Sequence, residues 1–216
     1  MPNPLPPGQQ STFPYASVAA QSSPRSLAPF LNSIQDVQRN NALLDTPSIL
    51  LQAVVIPGHK SAEGQLIERV ALPWFEIVEL LLRSPTTVHA IDWRKWEEIV
   101  AGAYARQGFE VVLTPRSNDK GRDVIATKHG LGSVRFVEQV KAYGPGHLVT
   151  ADEVRSMLGV LSLEPNISKG LVTTTSAFAP GIMKDPDLAR FMPTRLELKS
   201  RDDLLAWLAS VAAKPA

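Results

Sequence analysis

The spacing of apolar and polar positions predicts a chain that mixes helices and short strands over residues 88–216. Asp92 and Thr150 can cap two of the helices, since each precedes an apolar helical run. The predicted helices are 93–107, 151–163 and 201–212. β-branched runs between them predict strands over 109–114, 121–128, 133–141, 171–175 and 196–198. The order is α-β-β-β-α-β with a small β-α addition, which indicates an α/β domain.

The N-terminal 87 residues differ from this domain in composition. Residues 1–47 begin with a proline-rich stretch of low charge, and we interpret them as a flexible arm that is either a tail without function or a docking element. Residues 48–57 are typical of a strand ended by Pro-Gly. Pro73 then begins an apolar helix that ends at Ser84-Pro85. Residues 48–87 therefore form a strand-helix docking segment, with the helix buried against the next domain or a second subunit.

Composition bounds the class of protein. The 216 residues are 44% hydrophobic and 20% charged, as is usual for a soluble globular protein. There is no cysteine, which excludes disulfides and thiolate metal sites. The apolar runs are too short to span a membrane, and the N-terminus lacks the pattern of a secretory signal, so the expected location is the cytoplasm. The net charge is only +1, but residues 111–150 have an excess of lysine and arginine that is either a solvated surface or a contact for a polyanion.

Two of the predicted strands carry the residues that suggest chemistry. Asp123 lies on the first strand, and Gln139 and Lys141 lie on the second. If the turn is centred on Leu131, Asp123 is directly opposite Gln139, and Lys141 points to the same face as Gln139. Glu138 is out of phase with both and is expected to point away.

Those three side chains are suited to metal-assisted chemistry at a phosphate. Asp123 can offer a carboxylate, Gln139 an amide oxygen and Val140 a main-chain carbonyl, which are the hard oxygen ligands that Mg²⁺ prefers. Lys141 can orient an attacking water and offset charge on the phosphorane. The alternative is an ordinary surface hairpin with one aspartate and one lysine. Spacing alone leaves both interpretations open.

Several motifs in order resemble the catalytic domain of Mrr-type restriction endonucleases, within the PD-(D/E)xK nuclease superfamily. The resemblance covers roughly residues 92–185 and includes a glycine, a strand and a Thr/Ser-rich end at Lys169–Phe178. Its motifs are Trp96-Glu97, Gly108-Phe109-Glu110-Val111, Asn118-Asp119-x-Gly121-x-Asp123-Val124-Ile125-Ala126 and Gln139-Val140-Lys141.

The resemblance implies an αβββαβ restriction-endonuclease-like core with Mg²⁺ as the cofactor and Mn²⁺ as a substitute. Asp123 would be the main metal ligand and Lys141 the catalytic lysine. Gln139 stands where the superfamily usually has an acid, which removes one negative charge and predicts modest metal affinity. Glu97 matches an acid that often assists the metal site. Its position on the helix, at the border of the buried face, would let it reach the sheet edge or leave it solvated.

A polar turn and a later loop are the candidate contacts to a nucleic-acid backbone. Phosphate contacts of this kind position a duplex without reading its sequence. His147 can bond a phosphate or be an ordinary loop histidine. The candidates are Arg116, Ser117, Asn118, Lys120, Arg122 and His147.

Two functions follow from these observations. The first is a Mg²⁺-dependent endonuclease that cleaves DNA in restriction, phage defence or repair. The second is a DNA-binding or assembly module with this fold, in which cleavage is absent or conditional and the N-terminal segment forms a homodimer or binds a partner protein.

Overall fold

The fold is built on a mixed β-sheet, seen in a computed structural model that describes residues 48–115, 117 and 120–214. The predicted arm over 1–47 lies outside the described residues and stays a prediction. The strands in the described part are β1 Val55–Ser61, β2 Gly64–Val70, β3 Glu110–Leu113, β4 Val124–Lys128, β5 Val134–Lys141, β6 Leu148–Val149, β7 Lys169–Thr174, β8 Ala177–Phe178 and β9 Leu196–Lys199.

Two of the α-helices begin at the caps predicted for them, Asp92 and Thr150. Asp92 accepts a hydrogen bond from the main-chain N–H of Arg94, and Thr150 and Ser200 each form a capping box. Short 3₁₀ turns lie at Ser48–Leu51, Pro85–Ala90 and Ile182–Lys184. The α-helices are α1 Leu72–Arg83, α2 Trp93–Arg106, α3 Ala151–Leu163, α4 Pro186–Ala189 and α5 Arg201–Ala212. No helix in the described part of the chain is both long enough and apolar enough to cross a bilayer.

Seven of the described strands share one sheet in the order β1-β2-β3-β4-β5-β7-β9. The pairs from β1 to β5 are antiparallel, and the pairs β5–β7 and β7–β9 are parallel. A parallel pair needs a crossover connection, and α3 supplies it between β5 and β7. The predicted αβββαβ order is therefore confirmed as α2-β3-β4-β5-α3-β7.

Helices cover the sheet on both faces. Side chains alternate along the central strands, so apolar residues of β4 and β5 point to both faces and pack against these helices. Val124 and Val140 belong to the core formed with α1, α2 and α5. Ile125 and Val137 belong to the core formed with α3 and α4. Each side chain of β4 and β5 can therefore be assigned to the α2 side or the α3 side of the sheet.

The predicted strand over 48–57 was wrong in its bounds. Residues 48–51 form a 3₁₀ turn, and β1 begins at Val55 and continues through Pro57-Gly58 to Ser61. The strand β2, which the pattern did not predict, follows and pairs with β3 at Gln65–Leu113 and Leu66–Val112. Residues 48–87 therefore contribute two strands, β1 and β2, to the central sheet. They belong to the same compact unit as the following residues, over 46–216.

The apolar helix α1 packs inside the chain. Trp74 is fully buried and its Nε1 donates a hydrogen bond to the carbonyl of Ile99 on α2 at 2.8 Å. Ile77, Val78 and Leu81 are buried in the same core. The apolar surface that suggested a partner is thus largely covered by α2 and α5.

Gly102 is expected to be required for this packing. A Cβ at Gly102 would lie 2.6 Å from two atoms of the buried Trp74 ring. Gly102→Ala should lower the free energy of unfolding by about 1–3 kcal/mol, because overpacking outweighs the better helix propensity of alanine. Denaturant unfolding would measure the change.

Gly159 on α3 is the matched control, since a Cβ there would meet no atom within 4 Å. Gly159→Ala should raise the free energy of unfolding by up to about 1 kcal/mol. A stabilisation of the same size by Gly102→Ala would contradict the packing account.

Candidate active site

The β4–β5 hairpin has the register predicted for a turn centred on Leu131. The paired residues include Val124 with Glu138 and Ile125 with Val137. Asp123 precedes the first of these pairs, and its main-chain N–H donates to the carbonyl of Glu138, the partner of Val124, at 2.9 Å. The predicted register is confirmed from Val124 to Lys128, and the direct pairing of Asp123 with Gln139 stays a prediction. By alternation along β5, Gln139 and Lys141 lie on the α3 side of the sheet.

The Asp123 carboxylate is held against β5. Its Oδ2 accepts a hydrogen bond from the main-chain N–H of Val140 at 2.6 Å. Val140 lies between Gln139 and Lys141, so this bond fixes the carboxylate beside both side chains. A short bond of this kind is typical of an ionised acceptor.

Gln139 presents an acceptor that the protein does not use. Its Oε1 is buried and has no hydrogen-bond partner in the described part of the structure. A buried acceptor left unpaired costs about 1–3 kcal/mol, so such an atom needs an explanation. A cation bound between Gln139 and Asp123 would supply the missing partner.

The donor set fits a hard divalent cation. One carboxylate, one amide oxygen and the carbonyl of Val140 are all oxygen ligands, and Mg²⁺ commonly takes one or two carboxylates together with waters and substrate phosphate oxygens. Among residues 48–115, 117 and 120–214, no group of three or more His, Cys, Asp or Glu side chains could hold a metal. The amide of Gln139 thus stands where a second acid would add negative charge.

Glu138 lies on the opposite, α2 side of the sheet, as its phase predicts. It is 1% exposed, and Thr173 donates a hydrogen bond to its Oε1. Burial, followed by the charge of Glu138, raises the pKa of Tyr104 on α2 well above its usual range. The side chain of Glu138 therefore lies in the core behind the hairpin, on the face opposite to Gln139 and Lys141.

Glu97 is joined to the site through a neighbouring arginine. Its Oε2 accepts from Nη1 of Arg94 at 2.5 Å, and the same nitrogen donates to the carbonyl of Thr114 at 3.1 Å. The main-chain N–H of Thr114 donates in turn to the carbonyl of Asp123 at 3.1 Å. Glu97 is buried and forms an ion pair with Arg94, and the role predicted for it at the metal site stays a prediction.

Lys141 faces two residues that the sequence did not single out for the site. Its Nζ lies 3.8 Å from Oε1 of Glu153 on α3, and the Tyr143 hydroxyl donates to the same oxygen. Thr150 identified the start of a helix in the sequence, and Glu153 completes a capping box with it. That the start lies beside Lys141 depends on how the chain crosses from β5 to α3.

The residues predicted to contact the nucleic-acid backbone differ in their exposure and in their partners. Arg122 is 7% exposed, and its Nη1 donates to both carboxylate oxygens of Glu164 at 2.6 Å. Ser117 and Lys120 are exposed and line, with Arg122, a cavity of about 560 Å³ beside Thr114. His147 is exposed, with its ring 4.0 Å from that of Tyr143. Arg116 and Asn118 lie outside the described residues and stay predictions.

Arg122 was predicted to contact a phosphate, but its side chain is buried and paired with Glu164. A buried arginine paired to a carboxylate contributes a fixed, largely neutralised group. It ties the turn before Asp123 to the end of α3, where Glu164 follows the last helical residue.

Comparison with known proteins defines the class of this domain. The restriction endonuclease family of the Mrr catalytic type matches residues 88–208, which is more than half of the 216 residues, so the chain belongs to that family. The chain thus carries a restriction-endonuclease-like nuclease domain that contains Glu97, Asp123, Gln139 and Lys141.

A relative and several solved structures are similar to parts of the chain. The uncharacterized protein y4cE of Sinorhizobium fredii is 30% identical over 103 residues, which are 47% of this chain and 26% of that protein. MspJI restriction endonuclease in complex with a 27-mer oligonucleotide is 15% identical with a TM-score of 0.39, over 65% of this chain and 34% of that chain.

Two further solved structures show a likeness of the same order. The DNA modification-dependent restriction endonuclease AspBHI is 18% identical with a TM-score of 0.38, over 67% of this chain and 37% of that chain. The restriction endonuclease FokI is 16% identical with a TM-score of 0.43, over 67% of this chain and 28% of that chain. The chain thus spans well under half of the relative and of each solved chain.

If Gln139 is a ligand of a divalent metal, its replacement by glutamate is expected to strengthen the binding of that metal. The added carboxylate should lower the Mg²⁺ concentration for half-maximal DNA cleavage on the order of tenfold, which is about 1.4 kcal/mol. Titration of cleavage with Mg²⁺ would measure it.

Glu138→Gln is the matched control, because it removes a charge one residue away on the other side of the sheet. It should leave the Mg²⁺ requirement unchanged. If Glu138→Gln changed the Mg²⁺ concentration for half-maximal cleavage and Gln139→Glu did not, Gln139 would not be a ligand of the metal.

Proposed function

We propose that this chain is a metal-dependent endonuclease that hydrolyses DNA phosphodiester bonds. Its active site would be formed by Asp123, Gln139 and Lys141. The observation that carries the proposal is the hydrogen bond from the Val140 N–H to Asp123 Oδ2, at 2.6 Å, which holds the carboxylate between Gln139 and Lys141. Membership of the restriction endonuclease family supports the same conclusion.

The cofactor we propose is Mg²⁺, with Mn²⁺ as a substitute. The Asp123 carboxylate, Gln139 Oε1 and the Val140 carbonyl would hold the ion. When bound, Mg²⁺ would act as a Lewis acid on the phosphate and favour deprotonation of water. Glu97 supports the site from the α2 side through Arg94 and Thr114.

Lys141 would act directly on the reacting group. Its ammonium would orient the attacking water and offset the negative charge that grows on the phosphorane. The water oxygen forms a bond to phosphorus and releases a proton to solvent. The bond from phosphorus to the 3′ oxygen breaks, and that oxygen takes up a proton. The products are a 5′ phosphate and a 3′ hydroxyl.

The DNA backbone would lie along the turn before Asp123 and the loop after Lys141. Lys120, Ser117 and His147 are exposed and would contact phosphates, as would Arg116 and Asn118. Arg122 would hold this turn through Glu164 more than contact DNA itself, because its guanidinium is buried and paired. Such contacts give affinity without sequence specificity.

The biological setting we propose is restriction, phage defence or repair in the cytoplasm. The alternative of a binding or assembly module is less supported, because the apolar helix α1 that motivated it packs inside the chain. Association through residues 1–47 stays a proposal. Deletion of these residues should change the oligomeric mass if the arm joins two copies or a partner.

Supercoiled plasmid is the substrate that tests the function. Incubation with Mg²⁺ or Mn²⁺ should give nicked and linear DNA with 5′ phosphate ends, and EDTA should abolish the reaction. An RNA substrate and a branched DNA junction, run in parallel, would define the substrate class. Cleavage that persists in EDTA would contradict the proposal.

A further inference from the structure

Glu153 is placed to control where the Lys141 ammonium points. Lys141 Nζ and Glu153 Oε1 are 3.8 Å apart, and their side chains are only 21% and 24% exposed. Partial burial reduces the screening that makes surface ion pairs weak. The contact links α3 to β5 at the position where Lys141 would meet the phosphate.

Glu153 is itself fixed by the start of α3. Its Oε2 accepts hydrogen bonds from the N–H of Thr150 at 2.8 Å and from the Thr150 hydroxyl at 2.9 Å. Burial raises the pKa of the Glu153 carboxyl, but the bonds from Thr150 and Tyr143 and the charge of Lys141 more than offset it, so that the pKa is lowered. Glu153 is therefore an ionised and immobile carboxylate at neutral pH.

Tyr143 holds the other oxygen of Glu153. Its hydroxyl donates to Oε1, the oxygen that faces Lys141. The main-chain N–H of Tyr143 donates to Oγ1 of Thr175 at 2.8 Å, which anchors the residue beside β7. Burial and the hydrogen bond to Glu153 raise the pKa of Tyr143 to about 12, so the phenol keeps its proton and remains a donor.

We propose that Glu153, held by Thr150 and Tyr143, is a positioning residue that fixes the Lys141 ammonium for DNA cleavage. This inference rests on the proposed function, because Lys141 is the group that would touch the phosphate. A lysine side chain has about 2 kcal/mol of rotamer entropy, so a fixed carboxylate beside it reduces the orientations that it samples. Such supporting contacts typically change activity 10–100-fold when removed.

Glu153→Gln tests this role without removing the helix cap, because glutamine also serves at this position of a capping box. The variant should lower kcat about tenfold and leave the KM for DNA within about twofold, because binding of the backbone is unchanged. Tyr143→Phe should lower kcat by a smaller factor, about threefold.

Two controls separate positioning from folding. Asp203→Asn changes the capping box of α5, where Asp203 bonds Ser200, and should leave kcat unchanged. In a Lys141→Met background, Glu153→Gln should cause no further loss, since the residue it positions is gone. Wild-type activity in Glu153→Gln, or an equal tenfold loss in the Lys141→Met background, would overturn the inference.

Crystal structures of the full chain and of Glu153→Gln give a readout that does not depend on cleavage. Lys141 Nζ should be ordered beside Glu153 in the wild type and should change rotamer or lose density in the variant. If the wild type cut no DNA but Lys141 moved in the variant, the proposed function would be contradicted. The inference that Glu153 positions Lys141 would still hold. An unchanged Lys141 would overturn the inference.

Discussion

Replacing Asp123 by asparagine is expected to lower the rate of DNA cleavage by at least about 10³-fold, or about 4 kcal/mol in activation free energy. Asparagine keeps an amide oxygen that can accept the hydrogen bond from the Val140 N–H, so the hairpin should be preserved. What it removes is the negative charge that would bind the metal. Single-turnover cleavage of plasmid at saturating Mg²⁺ would measure the loss.

Asp152→Asn is the control for this substitution. Asp152 lies in the first turn of α3, its side chain is 91% exposed, and the change removes the same charge from the protein. It should cleave at the wild-type rate, and both variants should melt close to the wild type. Cleavage by Asp123→Asn within a few-fold of the wild type would mean that Asp123 does not bind the metal.

Replacing Lys141 by methionine is expected to lower kcat roughly 10²–10³-fold, because one preorganised cationic donor to the developing charge is lost. Methionine keeps the alkyl length of the side chain, so the packing against β7 should change little. DNA binding, measured with Ca²⁺ in place of Mg²⁺, should weaken far less than kcat. Quench-flow cleavage and filter binding on the same preparation would separate the two effects.

Lys169→Met is the matched control, since Lys169 lies at the other end of the parallel strands and pairs with Glu197 at 2.9 Å. Its side chain is 23% exposed, close to the 21% of Lys141. The control should retain wild-type kcat. Equal losses in the two variants would show that any lysine lost from this sheet impairs the protein.

The hairpin that carries the site follows from local sequence. The loop Gly130-Leu131-Gly132 separates two runs of β-branched residues, and a short turn centred there sets the register. The starts of α2 and α3 follow from local caps at Asp92 and Thr150. These features depend on neighbours within a few residues, which is why a single sequence is enough to predict them.

The hairpin of β1 and β2 was not predicted, because Pro57-Gly58 was interpreted as the end of a strand. Proline has no main-chain N–H and usually marks the end of a strand, but it is tolerated on an edge strand. β1 is the edge of the sheet in the described part of the chain, and its register shifts at Pro57. Whether a strand is at the edge depends on the sheet order, which the local pattern does not contain.

The contacts that complete the site join residues far apart in sequence. Arg122 and Glu164 are 42 positions apart, and a polar turn gave no indication that the arginine would be buried. Glu153 and Lys141 meet because α3 returns over the sheet beside the end of β5. Such pairs depend on how the helices pack, so the periodicity of one segment could not predict them.

A crystal of the full chain soaked with Mn²⁺ tests the site most directly. The proposed metal site predicts one strong anomalous peak within about 2.0–2.4 Å of an Asp123 carboxylate oxygen and Gln139 Oε1, with the Val140 carbonyl as a further ligand. The peak should be absent from Asp123→Asn. A peak on the α2 side of the sheet at Glu138, or full anomalous occupancy in Asp123→Asn, would contradict it.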